Sequence, residues 1–287
     1  MKFFKYKEDR LPVFVITCFC FLDLTVVFTV DNLILIVLWG VMSATIKAVV
    51  AAWNHNHQHC NTFYQPFLNR LIEIMYGMHT GVCGHAWVLH HNIGHHSNYL
   101  DQTKDESSWT DKLGRRMPRL RYSFEIFITS YYRCFKVGLK HPEKLAIFLT
   151  MTTLTTGLMA LITFYRPIPG LLILWIPYFT SLFITADVTY FHHSGLSTDD
   201  PYGASYNTIG DGCYNKLTGN FGYHTAHHIN GGLHWTKLPA LHERYKDRIP
   251  EECYVEVSPF FKNIDRIVDG FGSGYNAIKK WPRSIIQ

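Results

Sequence analysis

LPVFVITCFCFLDLTVVFTV, residues 11–30, carries a single charge, Asp23, in twenty positions. As a helix rising about 1.5 Å per residue, it is long enough to cross the roughly 30 Å of hydrocarbon in a bilayer. After Asp31-Asn32 a second run, Leu33 to Trp53, holds only Lys47. The plan repeats with Leu145 to Tyr165, the turn Arg166-Pro167-Ile168-Pro169-Gly170, and Leu171 to Phe191. The pattern predicts an all-α integral membrane protein: four transmembrane helices in two tight hairpins, with the hydrophilic segments forming a histidine-rich cap. A secretory signal competes for the first run, because Lys2, Lys5, Lys7 and Arg10 precede it. Its apolar core is too long, however, and no small-residue cleavage site separates it from the next run, so it reads as a retained anchor.

Lysine and arginine set the expected orientation. Four lie before the first span, ten between Asn54 and Pro142 and ten after His192, while the hairpin turns hold only Arg166. By the positive-inside rule both termini and both long hydrophilic segments are cytoplasmic. The net charge of +5 then reflects orientation and contact with anionic headgroups. No zinc-finger, helix-turn-helix or RNA-binding signature accompanies it, so no nucleic acid partner is expected. The seven cysteines form no C-x-x-C pair, and on the cytoplasmic side they stay reduced, without a structural disulfide. No repeat, low-complexity tract or linker interrupts residues 1–287, which read as one domain.

Histidine is the residue that this chain clusters. Val88-Leu89-His90-His91-Asn92-Ile93-Gly94-His95-His96 has four histidines in seven positions, and with His55, His57 and His59, then His192 and His193, then His224, His227 and His228, four clusters hold twelve of the seventeen. Helical spacing stacks His55 on His59, His91 on His95, and His224 on His227 and His228, so that imidazoles converge. A terminal affinity tag would be one uninterrupted run, whereas these clusters are internal and separated by apolar segments. The second and fourth spans run directly into His55 and His192, which delivers both to one face of the bilayer. Asp187, still within the last span, is expensive to bury. It is read either as an acceptor orienting a ligand imidazole or as a hydrogen-bonded structural residue.

Between the hairpins, Arg70 to Leu89 is apolar but broken by Glu73, Gly77, His79, Gly81, Gly84 and His85, and reads as a surface or re-entrant helix with His79 and His85 as ordinary polar residues. Asp101 to Arg121 reads as a loop, and Phe124 to Leu139 as an amphipathic interfacial helix.

Twelve clustered histidines exceed one tetrahedral zinc site, and neither H-E-x-x-H nor E-x-x-H occurs. Imidazole suits iron, copper and zinc. Two redox metals with open positions at a membrane surface point to oxygen activation against an apolar substrate, and the spacing does not choose iron over copper. A metal-binding or transport protein is the reading from another class. It would carry polar groups on a path through mid-membrane, where only Asp23 and Lys47 are candidates.

The series H-x-x-x-H (His55, His59), H-x-x-x-H-H (His91, His95, His96) and H-x-x-H-H (His224, His227, His228), interleaved with the spans from about Trp53 to Tyr245, resembles the membrane fatty acid desaturase and hydroxylase superfamily. The resemblance implies that these eight are ligands of a di-iron centre with O2 as co-substrate. It also implies a ninth ligand from the end of the last span, matched by His193 or His192, of which His193 is taken. His57, His90, His192, His234 and Asp187 are further candidates for the metal or for residues supporting it. His193-Ser194-Gly195-Leu196 and His91-Asn92-Ile93-Gly94-His95-His96 are similar to bacterial alkane hydroxylases, whereas Leu238-Pro239 after His234 is similar to desaturases. The extra His57, and Gly231-Gly232 where a proline often follows the third box, depart from the pattern. The H-P-G-G haem motif is missing, since Glu143 follows His141-Pro142, so electrons are expected from a separate ferredoxin, rubredoxin or cytochrome. By this resemblance the substrate is a long acyl chain or membrane lipid, and the reaction is desaturation with hydroxylation as the alternative.

Overall fold

The computed structural model describes residues 2–210, 212–258, 261, 262 and 264. They are helical, with isolated bridges and no strands among the described residues. Helix α1 (Arg10–Thr29) is followed by α2 (Leu33–His59), whose first amides Ile34 N and Leu35 N donate to the Asn32 side chain. That cap satisfies two of the donors a helix start leaves unpaired. Helix α3 (Pro66–Thr80) leads to α4, a π-helix over Trp87–His96. Then come α5 (Arg119–Gly138), α6 (Pro142–Tyr165) and α7 (Pro167–His193), the last opening with a π-helical turn at Gly170–Trp175. Short helices α8 (Cys213–Thr218), α9 (His224–Ile229) and α10 (Leu238–Tyr245) complete the described chain.

Among the described residues three helices are long and apolar enough to cross a membrane, Lys7–Thr29, Pro142–Tyr165 and Pro167–His193, and a fourth joins them if the two arms of α2, bent by 43°, are one span. Only 22% of the most apolar window in the first is buried, and 39% in the last, so most of their side chains face outward. Phe14, Phe21, Leu38, Val41, Leu158 and Phe164 are among those exposed, a surface that needs an apolar solvent. Helix α5 carries a narrower exposed stripe, Leu120, Phe124, Ile128 and Tyr132, at i,i+4 spacing, as an interfacial helix would. At one end of the bundle, Arg166 from the α6–α7 turn donates to the Val30 carbonyl at 2.9 Å and to Asp31 at 2.7 Å, which ties the two turns together.

Of the two expectations for this stretch, a surface or a re-entrant helix, α3 departs from the first. It packs inside the bundle, with Met78 against Val27, Met159 and Ile173, and with Ile72 and Tyr76 against Ile16 and Val50. Its polar residues, which argued for the surface, are each partnered: Glu73 meets Arg70 at 2.7 Å, and His79 Nε2 lies 3.1 Å from Asp23. His79 is thus part of a buried polar knot rather than an ordinary polar residue. The Asp23 carboxylate also takes Lys47 Nζ at 2.7 Å and Trp39 Nε1 at 2.7 Å, and Lys47 donates to the Ile173 carbonyl in the π-turn at 2.8 Å. This knot pins α1, α2, α3 and α7 where apolar packing alone would allow sliding. Removing one member strands a charge, which costs about 3–5 kcal/mol. Lys47→Met is therefore expected to lower the thermal midpoint in detergent sharply, and adding Asp23→Asn should recover most of the loss; a neutral Lys47→Met variant would show that the pair holds nothing.

Candidate metal centre

Four segments deliver histidines to one buried point. The last two turns of α2 bring His55 and His59, the end of α7 brings His193, and α9 brings His224, His227 and His228. The π-helix α4 supplies His91, His95 and His96. Widening to i→i+5 bonding puts residues i+4 and i+5 on either side of residue i, so His95 and His96 flank His91 instead of diverging around an α-helix.

Two groups of ring nitrogens result. His55, His59, His91, His96 and His227 each place one within 4.8 Å of the others, and His95, His193 and His228 form a second such group. His224 joins the second group through its Nε2, 3.1 Å from His193 Nε2, and His228 Nε2 approaches the same atom at 3.1 Å. The groups adjoin: the His96 and His228 rings stack with centroids 4.1 Å apart. Within the first group His59 Nε2 and His227 Nε2 are buried without any hydrogen-bond partner. Burial first, and then the neighbouring rings, hold His91, His96, His224, His227 and His228 well below the ordinary imidazole value. They are therefore neutral, the form that offers a lone pair. Neutral rings aiming lone pairs at one another repel unless a cation lies between them, so the donor set fits two metal ions with nitrogen ligands.

The outer nitrogens set which lone pair faces inward. His95 Nδ1–H donates to Asp105 at 2.8 Å, and His193 Nδ1–H donates to the Ala204 carbonyl at 2.9 Å; Nε2 is left as the inward acceptor. Asp105 reaches His95 because its loop lies against Gly94, where a Cβ would stand 2.7 Å from Glu106 Cγ. On the other side the chain after α9 passes over the centre at Gly231, where a Cβ would stand 3.2 Å from His96 Nδ1 and 3.3 Å from His59 Nδ1. Gly231, one of the two glycines that break the usual third-box pattern, thus gives the loop room to close.

The remaining candidates lie elsewhere. His57 points away, with Nδ1 2.9 Å from Thr62 Oγ1 and Nε2 3.4 Å from Glu73. His90 lines a small separate cavity, with Nε2 unpartnered. His234 is held by Asp9 at 3.1 Å and by Thr236 at 2.8 Å. His192 stacks on His224 with centroids 4.1 Å apart and belongs to neither group. Asp187 orients no imidazole: its carboxylate takes Arg119 and, at 3.0 Å, Ser123 Oγ, both from α5. Five residues along a helix from His192, it faces α5 rather than the centre. The carboxylate that does orient a ring, Asp105, has no periodic relation to the boxes; only its nearness to His95 and His96 in sequence hinted at it.

Residues 32–259 match the model of a family described as fatty acid desaturase. The chain belongs to the fatty acid desaturase family. Comparison with curated proteins and with solved structures finds no match. Membership makes this desaturase-family chain an oxidoreductase of lipids, and its two histidine groups are compatible with the di-iron site that its boxes led us to expect.

The Asp105 contact is open to measurement. Losing such a carboxylate partner typically costs 10–100-fold in metal affinity. Asp105→Asn is expected to weaken one of two binding events by about that factor in a chelator competition and to leave the other unchanged; equal affinities in variant and parent would remove Asp105 from the centre.

Proposed function

We propose that this desaturase-family protein oxidises a long acyl chain of a membrane lipid or acyl carrier, using O2 and two iron ions, and that the product is an alkene. One ion would be held by His55, His59, His91, His96 and His227, and the other by His95, His193, His224 and His228. With two irons bound there, O2 would be the oxidant: activated at that site with two electrons from a donor, it would take hydrogen from an unactivated C–H bond and leave as water.

The observation that carries this reading is an apolar cavity of about 290 Å³ between α2 and α7 that ends on His55, His91 and His224. Small residues, Ala48, Ala51 and Ala52, form one wall, and Ile184 and Val188 the other. Each methylene transferred into such a space contributes roughly 0.8 kcal/mol, so the cavity binds by length and shape and sets which carbon reaches the ring cluster. A charged path for ions is not apparent in the same bundle, because Asp23 and Lys47 are spent on each other; that favours the oxidase over the transporter. Hydroxylation is the second reading, supported by His193-Ser194-Gly195-Leu196, in which Gly195 takes a φ of +89° and lies against Arg116. The electrons are taken to come from a ferredoxin, rubredoxin or cytochrome. The apolar runs support four spans in two hairpins, with α2 as one bent span, the distribution of Lys and Arg supports cytoplasmic termini and a cytoplasmic histidine cap, and the uninterrupted sequence supports a single domain over residues 1–287.

Anaerobically purified protein should hold about two irons per chain, and His95→Ala or His228→Ala should lose iron and activity together. Expression in a host with saturated lipids, followed by mass spectrometry, should show chains lacking two hydrogens. Chains that instead gain one oxygen would replace the alkene by the alcohol, and full iron content in both variants would refute the ligand assignment.

A further inference from the structure

The apolar cavity between α2 and α7 has two ends of different character. At the ring cluster it is roofed by aromatic side chains: Phe221 meets His55 edge-on at 5.0 Å and His192 at 4.9 Å, and the Tyr214 and Phe261 rings lie 5.1 Å apart. Away from the cluster its lining is Ala48 and Val49 of α2 and Ile184 and Val188 of α7. Ile184 is 44% exposed, and Ala48, Val49 and Val188 are partly exposed, so the cavity wall and the outer surface of the bundle share these residues. The alanines of α2 leave a slot there that larger side chains would fill. The slot lies at hydrocarbon depth. Ala48 precedes His55 by seven residues, roughly 10 Å along the helix, and Ile184 sits inside the span Pro167–His193. Among the described residues no Lys, Arg, Asp or Glu lines the cavity.

We infer that the substrate enters sideways from the bilayer, through the slot between α2 and α7, and is therefore a chain already resident in the membrane, a phospholipid or a free fatty acid, and not a thioester of coenzyme A or of a carrier protein. A thioester carrier is a large polar group that bears phosphate. To feed its chain through the slot it would have to descend into hydrocarbon, where charge is expensive. To feed it from the water side it would have to part the aromatic roof. A bilayer chain meets neither obstacle. Its apolar segment passes from lipid tails to a lining of the same polarity, while its polar head stays at the interface. Entry at the side also explains why the lips of the slot are small or aliphatic and uncharged on both helices. This inference narrows the acyl substrate proposed above, and it rests on that reading.

The test places the full iron-loaded chain in phospholipid vesicles doped with a phospholipid whose acyl chain carries a diazirine, and maps the residues labelled on illumination by mass spectrometry. Trp87 is buried and lines the cavity, whereas Val41 lies 68% exposed on the outside of α2; the first reports entry and the second contact with bulk lipid. Both should be labelled. Ala48→Phe, or Val188→Phe from the opposite wall, should lower the label on Trp87 about tenfold while the label on Val41 and the iron content persist. Repeating the experiment with a diazirine fatty acid and with its coenzyme A thioester identifies the head group. Labelling of Trp87 by the phospholipid, the fatty acid or both supports entry from the bilayer. Labelling of Val41 alone, stronger labelling of Trp87 by the thioester, or labelling that both variants leave unchanged overturns it. Product analysis of the same chains in membranes of expressing cells, with their soluble fraction as the source of electrons, separates the two readings. Trp87 labelled with no chain oxidised would sink the oxidase and leave the entry route, whereas a thioester oxidised in preference to bilayer chains would do the reverse.

Discussion

An imidazole has two nitrogens, and the centre depends on which of them faces inward. Where Asp105 or the Ala204 carbonyl takes the outer N–H, the inner nitrogen is left with a lone pair and no proton. Burial keeps the rings neutral, because a charged ring would have to shed its water next to several others. The result is a cluster that is unfavourable by itself and favourable around cations. Much of the surrounding chain can be understood as holding such rings together: the extension of α2 to His59, the wide turn of α4, and the loop that crosses at Gly231.

The same economy of polar groups extends through the bundle. Asp23, Lys47, His79 and Trp39 share one buried knot, and the N-terminal segment is fastened over the far side by Asp9, which accepts from His234 Nε2 at 3.1 Å and Trp235 Nε1 at 2.9 Å. Tyr6 stacks on His234 with centroids 3.8 Å apart. The N-terminal segment is thereby held to the stretch after α9 by directional contacts, which matter more than area where the outer faces are apolar and give little register.

Much was legible from residue order alone. Apolar run length marked the candidate spans, because the hydrocarbon thickness is a fixed ruler. Helical spacing brought out His55 with His59 and His224 with His227 and His228, because i,i+3 and i,i+4 neighbours share a face. Eight of the nine histidines singled out lie in the two ring groups and His224 adjoins His193, and the order of the boxes carried the resemblance to the family. Within Arg70 to Leu89 the surface alternative failed: Glu73 is buried with Arg70 one turn back on its own helix, a pattern the spacing does record, whereas His79 is buried against Asp23 of α1, which no local pattern records.

What the sequence by itself determined is the chemistry available: neutral imidazoles in number and helices that seek lipid. Tertiary structure alone decided the division of labour among them. The choice of His193 over His192 for the ring cluster, of Asp105 over Asp187 as the orienting carboxylate, and of His57 and His234 as structural residues turns on which way a side chain points after a π-turn, a loop closure or one further residue of helix. Such differences of direction leave composition and spacing almost unchanged, yet they determine whether a nitrogen meets the other rings, a carboxylate or a backbone carbonyl.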